Sequence, residues 1–176
     1  DRRAVCSAAM PQAALAAPTP AVRALLAEWG RSADDPRLEV DPGDEMLAFL
    51  RDLHGGDPEQ ALCAYYRSGA SIAAVLLQVL RWRFGDAARV TSLLDFASGY
   101  GRVTRFLLGE VPAAAVTVAD ILPGAVAFQR STFGVRALTS TPRPEDLGVH
   151  GPFDAIFVTS LFTHLPERRL TAWLAA

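Results

Sequence analysis

Between residues 91 and 176 short apolar runs alternate with helical stretches, and the first run ends in Asp95-Phe96-Ala97-Ser98-Gly99-Tyr100-Gly101-Arg102. That junction constrains the fold more than any other part of the sequence. Residues 90–96 read as a strand, and 115–119, 135–138 and 153–158 as three more. Helices are expected at about 102–108, 123–132 and 166–175. Strand, helix and strand in succession imply right-handed crossovers and a parallel sheet. The run 153–158 is apolar at nearly every position after Asp154, as in a strand covered on both faces. The fold class is therefore α/β, a Rossmann-like doubly wound and mostly parallel sheet.

The first half reads as helices. Thr19-Pro20 places a capping residue before a proline at the first helical position, and Gly30 closes that helix. Asp41-Pro42 and Asp57-Pro58 repeat the start signal on either side of Gly55-Gly56. The strongest helix is expected over 71–84, with Ile72, Val75, Leu76, Val79 and Leu80 on one face at the helical period and Gly69 and Gly85 as its limits. Residues 1–18, mostly Ala, Pro and Ser, read as a flexible arm or linker. This gives an arm over 1–18, a helical cap or lid over 19–86 and a sheet domain over 87–176. The stripe Leu170, Trp173 and Leu174 runs to the end of the sequence without a cap, so a fragment of a longer polypeptide is expected.

Composition narrows the function classes. At 51% hydrophobic and 20% charged residues the chain is no disordered segment. No charge-free run of eighteen apolar residues exists, so no membrane partner is expected. The net charge is −2 and all 17 basic residues are scattered arginines, which argues against nucleic acid. Cys6 and Cys63 form neither a disulfide framework nor a metal-ligand pattern and fit a reducing, cytoplasmic compartment. No metal is expected.

Glycines at a strand-to-helix bend let the backbone come close to a ligand, and the helix start offers free N–H groups. In doubly wound sheets ligands bind in the crevice outside the carboxyl ends of the strands. The second run, Val116-Thr117-Val118-Ala119-Asp120, ends in a carboxylate positioned to accept hydrogen bonds from ribose hydroxyls. Together they indicate an adenosine-containing cofactor. Thr104 occupies the position where a dinucleotide loop has its third small residue, which weakens that reading without removing it.

The stretch from Leu93 to Arg105 resembles the first motif of class I S-adenosylmethionine-dependent methyltransferases, with Ala97 where the family usually has a glycine. Asp120 matches the family's acidic residue at the second strand. The segment from Phe153 to Glu167, with its Phe162-Thr163-His164-Leu165-Pro166 turn, is similar to the family's fourth strand and the turn after it. The family's sheet has seven strands, so the sequence looks truncated after the fourth. The resemblance implies S-adenosylmethionine as cofactor. Ala97, Gly99 and Gly101 would pass under its methionine part, with Asp95 supporting that end. Asp120 would hold the ribose, Ile121 would pack on the adenine, and Asp146 or Glu145 would meet the adenine amino group. Thr159 and Ser160 would line the cofactor, and Tyr66 and Gly69 would cover its carboxylate.

The implied activity is methyl transfer to an oxygen or nitrogen of a small-molecule acceptor, with His164 as the candidate base. His54 and His150 carry no pattern. Two other readings stay open: a methyltransferase-like binding or scaffold module, and a nucleotide-dependent oxidoreductase. Expected protein partners are further domains of the same polypeptide or a second copy. Tyr65, Tyr66, Trp82 and Phe84 read as core aromatics of a helical half that covers the substrate pocket.

Overall fold

The computed structural model describes residues 18–148 and 151–175; all but the last residue of the arm expected over 1–18, with Cys6 and His150, falls outside them. The first half is three helices: α1 (Pro20–Glu28), α2 (Glu45–Leu53) and α3 (Pro58–Phe84). Thr19 caps α1 through its hydroxyl, and Asp57 caps α3 by accepting from the Glu59 and Gln60 amides. Asp41-Pro42 does not start a helix. The Asp41 carboxylate accepts from the Gly43 amide 2.7 Å away, closing a tight turn, and the next carboxylate, Asp44, caps α2 instead.

The sheet half comes next as β1 (Leu93–Phe96), α4 (Thr104–Leu107), β2 (Val116–Asp120), α5 (Pro123–Phe133), β3 (Arg136–Thr139), β4 (Ala155–Val158), α6 (Leu161–His164) and α7 (Glu167–Leu174). The four strands are parallel in the order β3-β2-β1-β4. Strands β1 and β2 are buried at every position. Their carboxyl ends lie side by side, Phe96 opposite Ala119 and opposite Val158, so the turns after them share one rim. Strand β4 begins where the Asp154 carboxylate accepts from the Thr91 and Ser92 amides at 2.8 and 3.1 Å. Those bonds hold its carboxyl below the usual range.

One core joins both halves. Val22, Leu26, Tyr65, Leu77 and Leu80 from the helices pack into the same cluster as Leu93, Leu107, Val116 and Val118. A smaller cluster on the sheet's other face gathers Leu94, Phe96 and Ala119, with Trp173 of α7 5.0 Å from the Phe96 ring.

Two expectations change here. The long helix does not begin near residue 71: α3 runs unbroken through Gly69. Its covered side is only partly the one expected: Leu80 is buried and Ile72 and Leu76 pack against the core, but Val75 is 63% and Val79 51% exposed, and the buried Ala73 and Leu77 lie outside the expected stripe. The reason is proximity. A β-carbon on Gly69 would lie 2.2 Å from the Arg102 carbonyl oxygen and 3.0 Å from the Phe106 ring. The seam of small residues, Gly69 and Ala73, therefore faces inward where the helix crosses the glycine turn, and Val75 and Val79 face out. Trp82, expected in the core, is 84% exposed, while Tyr65 and Tyr66 are buried.

The second change concerns β4, which is an edge of the described sheet and not a strand covered on both faces. Phe157 turns to the main core, Val158 packs on the small cluster and Ile156 is 63% exposed.

Among the described residues no helix is long and apolar enough to cross a membrane. The Gly69 contact yields a prediction. Gly69→Ala gains helix propensity of up to about 1 kcal/mol, yet forces backbone apart at a fully packed crossing, at a cost of about 1–3 kcal/mol. Net destabilisation is expected in urea denaturation, and an unchanged or raised midpoint would show that the crossing has room for a methyl group.

Candidate functional site

At the shared strand rim lies a cleft of about 440 Å³, within the ordinary range for a small-molecule site. Its floor is the turn after β1. Ala97, Gly99 and Gly101 all have positive φ, at 58°, 56° and 74°, which folds the turn back under the rim. The opposite walls come from the start of α2 and from the turn between β4 and α6.

Asp120 organises the floor. It is 6% exposed, at the buried end of β2. Its Oδ2 accepts from the Gly99 amide at 2.7 Å and its Oδ1 from the Leu122 amide at 2.9 Å. Each oxygen keeps a further lone pair for a ligand, and Asp120 lines the cleft. Gln129 of α5 fastens the same turn from behind, its Nε2 donating to the Ser98 hydroxyl and the Gly99 carbonyl, both at 2.8 Å.

Asp95 sits near the end of the central strand, 2% exposed, and accepts from the Thr104 hydroxyl at 2.7 Å. Burial pushes its carboxyl up to about 7; the Thr104 bond works against that rise and the nearby Asp120 charge adds to it. Thr104, where a dinucleotide loop has a small residue, is thus spent on Asp95.

Thr159 at the tip of β4 lines the cleft, and its Oγ1 is buried without a hydrogen-bond partner in the protein. A buried hydroxyl with neither donor nor acceptor opposite it is costly, and here it borders the space a ligand would fill. Ser160 beside it has a φ of 63°, which turns the chain sharply into α6 and places His164 on the cleft wall.

The structure brings together Asp95, Ala97, Gly99, Asp120, Thr159, Ser160 and His164 on one cleft. Others stand apart from its lining. Gly101 packs under the turn, where a β-carbon would lie 2.4 Å from the Phe133 ring and 2.7 Å from the Gln129 carbonyl oxygen. Ile121 is 51% exposed on the rim, next to Leu122. Tyr66 and Gly69 do not reach the cleft: the Tyr66 hydroxyl donates to the Leu38 carbonyl at 2.5 Å within the core, and Gly69 serves the helix crossing. Asp146 does not line it either, because Arg143 holds its carboxylate at 2.6 Å in an exposed turn.

Sequence reasoning missed the wall from α2, where Asp44, Glu45, Met46 and Phe49 line the cleft, and missed Arg102, whose NH1 donates to the Ser68 hydroxyl at 2.8 Å. The Asp44-x-x-Leu47 cap was the available signal, overshadowed by Asp41-Pro42 just before it. No group of three or more His, Cys, Asp or Glu residues that could hold a metal ion exists among the described residues.

Asp95 generates a stability prediction. Its folded pKa lies above the unfolded value, so the stability it contributes is full below about pH 4 and is lost as pH rises toward 7. The slope is at most about 1.4 kcal/mol per pH unit. Asp95→Asn keeps an acceptor for Thr104 and removes the titration. Urea midpoints measured between pH 4.5 and 7 should fall with pH more steeply for the native chain than for the variant; parallel curves would contradict the raised pKa.

Comparison with known proteins fits this geometry. Residues 93–176 match a family model described as a methyltransferase domain. No curated protein sequence matches the chain. The SAM-bound structure of CalS10, an amino pentose methyltransferase from Micromonospora echinaspora involved in calicheamicin biosynthesis, is similar at 24% identity and a TM-score of 0.50, over 61% of this chain and 44% of its own. Streptomyces venezuelae DesVI matches at 20% identity and a TM-score of 0.44, over 69% of this chain and 44% of its own. The chain thus spans under half the length of either structure. The family match covers the β1 turn, the Asp120 strand and the β4–α6 segment together. Residues 93–176 thus match a methyltransferase domain, and the sheet they form has the fold of the SAM-bound CalS10 structure.

Proposed function

We propose that the chain binds S-adenosylmethionine in this cleft and serves methyl transfer to an oxygen or nitrogen of a small-molecule acceptor. The observation that carries the reading is the pair of bonds from Gly99 and Leu122 to Asp120, which fix an anion at the tip of β2 over the glycine turn with lone pairs to spare. The orphaned Thr159 hydroxyl on the opposite wall fits the same occupant, because a polar ligand satisfies it. When bound, the cofactor supplies a methyl group on a sulfonium, already a strong electrophile.

The protein's part is alignment and exclusion of water. Asp120 holds the ribose hydroxyls. The backbone from Ala97 to Gly101 meets the amino-acid end, with Asp95 beneath it, and Ile121 covers the adenine from the rim. Met46 and Phe49 of α2 wall the cleft with apolar surface. His164 on the far wall takes the proton that the acceptor's O–H or N–H loses, at a ring nitrogen. The free thiol of Cys63 accords with a reducing compartment, the cytoplasm.

The test is calorimetric titration with S-adenosylhomocysteine and, separately, NAD. Binding of the former is expected; binding of NAD alone would favour the oxidoreductase reading. Asp120→Ala removes two charge-assisted acceptors for the ribose, and binding should weaken by about 2–4 kcal/mol, roughly 30- to 1,000-fold. An unchanged affinity would place the ribose contact elsewhere.

A further inference from the structure

Arg105 is the largest fully buried side chain among the described residues, and the methyl-transfer chemistry makes no use of it. A guanidinium out of water is stable only when its donors are satisfied, and this one is held mostly by carbonyl oxygens. Its Nε donates to Gly101 at 3.0 Å, its NH1 to Glu39 at 2.6 Å and its NH2 to Tyr100 at 3.1 Å. The rings of Tyr65 and Phe133 flank it, with centroids 5.3 and 5.4 Å away.

The anion that answers this charge stands one hydroxyl away. The Tyr65 oxygen accepts from Arg105 NH2 at 3.3 Å and donates to Asp44 Oδ2 at 2.6 Å. Asp44 Oδ1 accepts from the Met46 and Leu47 amides and so begins α2. Tyr65 and Arg105 are both inaccessible to solvent and Asp44 is 4% exposed. One continuous polar path thus runs from the carbonyls of the glycine turn, through a cation, a hydroxyl and an anion, to the first turn of the opposite wall.

We propose that Arg105, Tyr65 and Asp44 form a positioning relay that seats α2 against the glycine turn, so that occupancy of the cleft and the seating of α2 are coupled. Neither Arg105 nor Tyr65 lines the cleft; both act through Tyr100, Gly101 and Asp44. The polarity of the path is fixed, because the Tyr65 hydroxyl accepts from the cation and donates its own proton's hydrogen bond to the carboxylate. Breaking the middle link leaves a buried cation and a buried anion each short of a partner, while the ring that flanks the guanidinium is kept. The choice of probe rests on the reading of the cleft as an S-adenosylmethionine site; the relay itself is also read without a ligand.

Tyr65→Phe tests it. Without ligand, hydrogen exchange of the α2 amides, residues 45–53, should quicken by about tenfold in the variant relative to those of α5. With S-adenosylhomocysteine, the native chain should gain protection in α2; the variant should lose most of that gain and bind about tenfold more weakly. Asp44→Asn has one oxygen with which to cap α2 or to meet Tyr65, not both, and should give the same losses. The double variant should lose no more than either single one, as members of one network do. Should Tyr65→Phe not fold, Asp44→Asn carries both measurements. Unchanged α2 exchange with affinity within twofold of the native chain, or losses that add in the double variant, would overturn the relay. A native chain that ignores S-adenosylhomocysteine would overturn the cofactor reading, and the ligand-free exchange would still decide the relay.

Discussion

Everything in this fold turns on how closely other elements approach the turn after β1. From one side α3 crosses at Gly69, where the Arg102 carbonyl occupies the place a β-carbon would take. From the other side α5 presses the Phe133 ring and the Gln129 amide under Gly101, again where a β-carbon would be. Two missing methyl groups let a helix on each side grip one loop. The loop is stiff for that reason, and a stiff loop with bare backbone is what a ligand-binding rim needs.

The electrostatics stem from the same crowding. Packing the loop this tightly buries Asp95 and Arg105 together with it, one carboxylate and one guanidinium with no direct contact between them. The carboxylate is pushed toward neutrality at physiological pH, while the guanidinium is shared among carbonyls and aromatic rings. Asp120 differs from both. Held by two amides at the end of β2, it faces the cleft. Three ionisable groups around one loop thus have three separate fates, set by what each touches.

How much of this was legible in the sequence depends on the range of the interaction. Thr19-Pro20, Asp57-Pro58, the glycine turn and the Asp120 strand are local patterns, and the structure has each where the sequence puts it. The face of α3 was legible only in part. Ile72, Leu76 and Leu80 of the periodic stripe do pack toward the core, but Val75 and Val79 face out, because the covered side is shifted toward Gly69 and Ala73, whose small size matters only once a loop lies across them. The α2 wall was missed as well: Asp41-Pro42 carries the start signal, yet Asp41 closes a turn and it is Asp44, bonded to Tyr65, that caps α2. Tyr66 and Asp146 were assigned by resemblance, and their actual partners, the Leu38 carbonyl and Arg143, lie where no motif points.

Ala97 holds a left-handed backbone conformation that glycine adopts freely and alanine adopts only at a cost of about 1–2 kcal/mol. The methyl group retained at that cost packs on the small cluster of Leu94, Phe96 and Ala119. The chain thus keeps a slightly uncomfortable bend in return for an anchor that pins the start of the turn to the sheet.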